Sequence, residues 1–272
     1  MSLPTDVYAD LLVEDETLDD IVANLKPAQW ELPTPAPGWT IKHQVAHLSS
    51  IARLAEIAAS DPDRFGQLTA GAAEDFDGAV NALLSPYLTA SPTSLLARWR
   101  AERTAAAEAL AALPPDQIVP WVARSIPAGI LACAGIMELF AHGQDIADTV
   151  GAHRDHGDRI RHLAGFAARN RDFGYLVRGL TPPAEEFRFE LTAPSGELWE
   201  FGPADAGQRI AGPALDFCLL ATRRRHRDDL ALRAYGSEAD RWLDIAQAYR
   251  GSPGAGRASG QFSEAATAGS RG

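Results

Sequence analysis

The sequence predicts an α+β protein: a helical bundle over residues 1–181, a small α/β domain over 182–250 and a disordered tail over 251–272. Three observations carry this. Apolar residues recur at helical spacing through the first two thirds of the chain, and that spacing gives way to strict alternation after Pro182-Pro183. From Gly251 onward, GSPGAGRASGQFSEAATAGSRG offers too little apolar surface to offset the entropy of ordering it.

The first helix is expected over residues 5 to 25, with Val7, Leu11, Leu18, Ile21, Val22 and Leu25 on one face. The stretch PTPAPG ends that unit, since three prolines and a glycine cannot continue a helix. Thr40 then N-caps a second helix reaching Ser60. Residues 61 to 90 are rich in Asp, Gly and Pro and are read as a long connection holding at most a short helix. Ser91-Pro92 starts a third helix that stops at Pro114-Pro115, because a capping hydroxyl followed by proline suits a first turn. A fourth runs from Ala128 to Val150 and a fifth from Asp158 to Gly179. In the last third, FRFELTAPSGELWEF alternates around a Pro-Ser-Gly turn and reads as a hairpin. An apolar helix over 212 to 225, a strand-like LALRAYG and a helix around Trp242 to Tyr249 follow.

Composition narrows the function. With 25 basic and 36 acidic residues the formal charge is -11, which repels nucleic acid and anionic membranes on average. The acidic start and the lack of a membrane-length apolar run make a soluble, cytoplasmic protein the expectation. Cys133 and Cys218 sit in apolar stretches and are read as buried structural thiols.

Chemistry concentrates on two helices. From Gly129 to Ala141 the single charged side chain is Glu138, and a lone carboxylate in such a run has to be paired, protonated or bound to a cation. His142 follows one turn later on the same face, continued by Asp145 and Thr149, while Cys133 points away. A Glu–His hydrogen-bonded pair in a bundle core satisfies the same pattern. On the second helix, Ile41, Val45, Leu48, Ile51, Ala52, Ala55 and Ala58 form one broad stripe; His47 falls inside it and His43 at its edge. A histidine on an apolar face also serves as a satisfied core residue, but two inward polar sites on separate helices favour a shared metal. Imidazole and carboxylate donors with an open position suit catalytic zinc, and the same set holds non-haem Fe2+.

The segments APGWTIKHQVAHL and MELFAHGQDIADTVG resemble the mycothiol-dependent maleylpyruvate isomerase family, among the DinB/YfiT-like metal-binding bundles. RNRDF and ALDFCLLATRRRHRDDL resemble an actinobacterial subgroup of metal-binding proteins. The resemblance implies a DinB-like up-down bundle followed by a sterol-carrier-like α/β domain. It implies His47, Glu138 and His142 as ligands of Zn2+, with Fe2+ or another divalent metal as alternatives, and Asp145 as the acid beside them. It also implies an arginine after the post-hairpin helix that clamps a substrate carboxylate: Arg224, with Arg223 and Arg225 as neighbouring registers. Cations at a helix C-terminus explain the same arginines through the helix dipole. Departures are His43, where the isomerases more usually carry Asp, and Leu139-Phe140, where related chains often carry Thr-Trp.

The function so implied is rearrangement of an activated double bond in a small molecule, such as a carboxylate or polyketide-like compound. A metal-held, mycothiol-type thiol would add and leave, with His43 or Asp145 moving the proton. A thiol-independent tailoring isomerase, cyclase or hydrolase on the same site is the alternative, as is a non-catalytic metal or small-molecule binder. Trp121 is read as a packed aromatic that could also wall the pocket.

Overall fold

The computed structural model describes residues 7–71, 75–122 and 124–262. They divide into two compact units, residues 1–154 and 155–272.

The first unit is helical. Helix α1 spans Val7–Val22, and after a 3-10 turn at Pro27–Glu31 helix α2 spans Ile41–Ser60. As the sequence predicts, Thr40 is the N-cap of α2 and Ser91 that of α5, Pro92–Ala111, where the Ser91 hydroxyl accepts from the Ser94 N–H. The connection between them holds more structure than expected: α3, Pro62–Leu68, capped by Asp61, and α4, Phe76–Leu88, capped by Asp75. Asp61, Pro62 and Asp75, read as loop signals, are there helix starts, because each carboxylate accepts a first-turn amide, while Pro86 lies inside α4. After the short pair β1, Ile118–Val119, and β2, Ile126–Pro127, helix α6 runs Ala128–Val150. It ends at Gly151 (φ 66°), a left-handed position that costs a residue with a Cβ about 1–2 kcal/mol. Helices α2, α5 and α6 bury Ile41, Leu95, Trp99 and Phe140 completely. Cys133 and Cys218 are both buried, as the sequence predicts. Among the described residues no helix is long and apolar enough to cross a membrane.

A polar seam lies under α1. Glu14 and Asp15 are 0% and 4% exposed. Glu14 meets Arg154 at 2.6 Å, and the Arg154 guanidinium also donates to the Phe140 carbonyl at 2.8 Å. That guanidinium lies flat against α6 at Gly143, where a Cβ would fall 2.9 Å from it. Burial pushes the Asp15 carboxyl up to about 7, with Arg103 offsetting part of the effect. A folded-state pKa above the unfolded value makes the stabilising form the protonated one, so its contribution is complete below pH 4 and is lost as pH rises through 7. Asp15→Asn is therefore expected to melt above the parent at pH 8, by up to about 4 kcal/mol in stability, and to converge with it near pH 4. A pH-independent difference between the two melting curves would disprove this.

In the second unit the fifth expected helix is broken. A 3-10 turn at Asp158–Ile160 leads into α7, Arg161–Arg169, and a separate turn, α8, covers Phe173–Leu176. The hairpin forms as read: β3, Phe187–Thr192, pairs antiparallel with β4, Leu198–Phe201, placing Leu191 opposite Trp199. Strand β5, Gln208–Pro213, adds in parallel to the other edge of β3, which the sequence reading did not anticipate. Helix α9, Ala214–Ala221, strand β6, Arg233–Tyr235, and helix α10, Ser237–Ile245, complete the order β4-β3-β5-β6 with its helices. Phe189, Phe217 and Trp242 form an aromatic core with centroids 5.2 to 5.8 Å apart. Residues 251–262 contain no helix or strand, yet Arg225 packs on the Phe262 ring and the Gly260 N–H donates to Asp229. Residues 263–272 of the expected tail lie outside the described residues.

Candidate metal centre

Apolar packing of α2 against α6 sets two helical faces together, and the polar residues on those faces meet. Glu138 Oε2 is 3.2 Å from His47 Nε2 and 3.1 Å from His142 Nε2. The donor atoms of all three lie within 4.8 Å of one another, and the two imidazole centroids are 4.5 Å apart. Burial alone would raise the Glu138 carboxyl; the bonds to His142 and then His47 outweigh it and hold the group well below the usual carboxylate range.

One neighbour decides how His142 presents itself. The Gln44 amide nitrogen donates to Thr34 Oγ1 at 2.9 Å and to Asp145 Oδ2 at 3.5 Å, so its oxygen is the end that faces His142 Nδ1, at 2.5 Å. An amide oxygen only accepts, which places the neutral ring's hydrogen on Nδ1 and the lone pair on Nε2. That lone pair points at an ionised carboxylate, so the arrangement needs a cation or a proton between them. Metal bonds of about 2.0–2.2 Å at tetrahedral angles separate ligand atoms by roughly 3.3–3.6 Å, close to the two distances to Glu138. The donor set and its spacing fit a divalent metal.

Trp39 forms the cover. Its ring stacks on His142 at 5.7 Å and tilts against His47 at 5.4 Å. Gly38 (φ 78°) makes the turn that presents it, and Thr34 ties the loop down by donating its hydroxyl to the Trp39 carbonyl. Gln44 and Trp39 were missed in the sequence reading, although Gln44 sits three residues after Ile41 and four before Leu48, a polar amide inside the apolar stripe.

The remaining candidates are distributed differently. Asp145 is fully buried and reaches His142 through Gln44. His43 uses Nδ1 in the helix cap, accepting from the Thr40 N–H at 3.3 Å. Its neutral ring therefore carries hydrogen on Nε2, where it can donate but not accept. Trp121 stacks on Phe65 at 5.7 Å. Arg224 belongs to the second unit, is 8% exposed and donates to the Thr222 carbonyl at 2.7 Å.

Residues 11–147 match the model of the mycothiol maleylpyruvate isomerase N-terminal domain, and residues 183–234 match that of a wyosine base formation family. Two uncharacterized proteins from Mycobacterium tuberculosis strains, CDC 1551 / Oshkosh and H37Rv, are each 43% identical over 94% of this chain and 100% of their own length. Crystal structures of the mycothiol-dependent maleylpyruvate isomerase and of a histidine-to-alanine mutant share the fold. Their TM-scores are 0.54 and 0.55 at 15% and 16% identity, over 81% of this chain and 88% of theirs.

Proposed function

The chain belongs to the family of the mycothiol maleylpyruvate isomerase N-terminal domain, and on that premise we propose that it is a metal- and thiol-dependent isomerase of a small molecule with an activated double bond. The observation that carries the reading is the Gln44-fixed lone pair of His142 directed, with His47, at the ionised Glu138. His47, Glu138 and His142 would hold the metal, with Zn2+ the first choice for that donor set and Fe2+ the alternative. When bound, the metal supplies an open Lewis-acidic position at which a thiol or water loses its proton near neutral pH.

The residues around the centre divide the remaining work. Gln44, backed by Asp145, keeps the His142 tautomer that leaves Nε2 free of hydrogen. Trp39 shields the imidazoles from water on one side. With the metal held by His47, Glu138 and His142, a mycothiol-type thiol would supply a nucleophile for reversible addition to the double bond, the chemistry that lets its geometry change. Nothing is oxidised or consumed. His43 would meet the developing negative charge from its Nε2–H.

The test is isomerisation of a maleate-type 2-oxo acid, followed by ultraviolet absorbance with and without thiol and with and without metal. Turnover requiring both is expected. Turnover without thiol would assign the site to carbonyl polarisation or water activation instead, and metal binding with no turnover of any substrate would leave a binding protein. Gln44→Ala is expected to weaken metal binding roughly 10- to 100-fold in chelator competition, the usual effect of losing a group that orients a ligand. Unchanged affinity would mean that His142 needs no such orientation.

A further inference from the structure

The second unit carries a cavity of about 230 Å3 lined by Arg223, Arg225, Arg227 and Arg257, in a chain whose net charge is -11. Residues 223, 225 and 227 face it, while Arg224 between them turns inward to its bond with Thr222. Leu220 and Leu243 give it an apolar floor.

The charges there are unequally matched. Arg227 is held by Asp240 and Asp244 at 2.5 and 2.9 Å, which also engages the acid lining the cavity. Arg223 has no carboxylate partner among the described residues. Its bond to the Gly254 carbonyl is long, at 3.4 Å, and its Nε is buried without a partner. Burial, and then the charge of Arg223, lower the pKa of the nearby Arg178 guanidinium, as expected of positive charge lacking a counter-ion.

The backbone is also arranged around Arg223. It is the one non-glycine residue with positive φ (60°) among the described residues, a strained position that persists where surrounding structure requires it. The chain from Gly254 to Arg257 closes over it: a Cβ on Gly256 would lie 2.7 Å from the Arg223 guanidinium.

We propose that this cavity binds the phosphate group of a small molecule, with Arg223 as its principal ligand and Arg225 and Arg257 beside it. Guanidinium forks match phosphate oxygens bidentately, and a phosphate's charge near -2 answers several arginines where a single carboxylate does not. The cavity is smaller than the roughly 300 Å3 at which drug-sized pockets begin, so it suits a phosphoryl head rather than a whole nucleotide.

Calorimetric titration of the full chain at low ionic strength tests this with inorganic phosphate, diphosphate and succinate. Phosphate and diphosphate should bind, diphosphate more tightly, and succinate should bind weakest. Arg223→Gly also relieves the positive φ, so it should melt no lower than the parent while losing roughly tenfold or more in diphosphate affinity. Arg209→Gln removes the same charge from strand β5 and should bind as the parent does. No binding, equal losses in both variants, or succinate binding as well as diphosphate would each overturn the proposal, and an intact isomerase assay alongside any of them would leave the bundle site untouched.

Discussion

Purified from a zinc-replete source, the chain is expected to carry about one divalent metal per molecule, and Glu138→Ala and His47→Ala are expected to carry almost none. The argument starts from charge. Glu138 is ionised, and the two imidazole nitrogens facing it bring no fixed hydrogen on the His142 side, because Gln44 holds that hydrogen on Nδ1. Removing the carboxylate takes away the anion that balances the cation. Removing either imidazole leaves two protein ligands where catalytic zinc sites have three. Activity in both variants should fall by about a thousandfold or more, since loss of several kcal/mol of transition-state stabilisation scales in that way. Glu138→Gln sharpens the test: its amide preserves shape and hydrogen bonding but not charge, so a fold that survives with its metal gone isolates the electrostatic requirement. Emission or mass spectrometry of the metal, beside circular dichroism of each variant, reads it directly. A parent free of metal after growth in zinc, iron and manganese, with both variants folded, would reduce the cluster to a core hydrogen-bond network.

How much of this was legible in the sequence depended on whether the signal was local. Helices α2 and α6 could be placed closely because Thr40 gives a capped start and Glu138 interrupts an otherwise apolar run. The face shared by Glu138 and His142 follows from a spacing of four, and the inward direction of His47 from the stripe around it. Other features were local but misread: Asp61 and Asp75 look like loop residues until the amides they cap are in place. Strand β5 was hidden because its pairing with β3 is parallel and its sequence, QRIAGP, is short and closed by Gly212-Pro213. Gln44 shows a third case. Its place in the apolar stripe was readable, but its partners Thr34 and Asp145 are 10 and 101 residues away, and they determine which end of the amide faces His142.

The buried pair Glu14–Arg154 is a still more distant relation, at 140 residues, and Glu14→Ala is expected to be strongly destabilising to the bundle. Glu14 occupies the apolar face of α1, between Leu11 and Leu18, and its side chain is wholly inaccessible; that of Arg154 is 1% exposed. Truncating the acid breaks this ion pair at a guanidinium held out of water, and breaking a buried pair costs about 3–5 kcal/mol. For a unit of this size that corresponds to a melting point lower by roughly 10–15 °C. The guanidinium has little room to escape, because it is clamped on the backbone of α6 at Gly143 and bonded to the Phe140 carbonyl. The pair's net worth is a separate quantity. Two desolvated charges often contribute less than apolar groups of the same volume, so Glu14→Leu with Arg154→Met should recover most of the stability lost in Glu14→Ala. A single variant within about 1 kcal/mol of the parent would show that the pair is solvated in solution and that α1 is held to α6 by apolar packing alone. A double variant as unstable as the single one would instead show that the Arg154 bond to Phe140, rather than the charge it carries, holds Arg154 against α6.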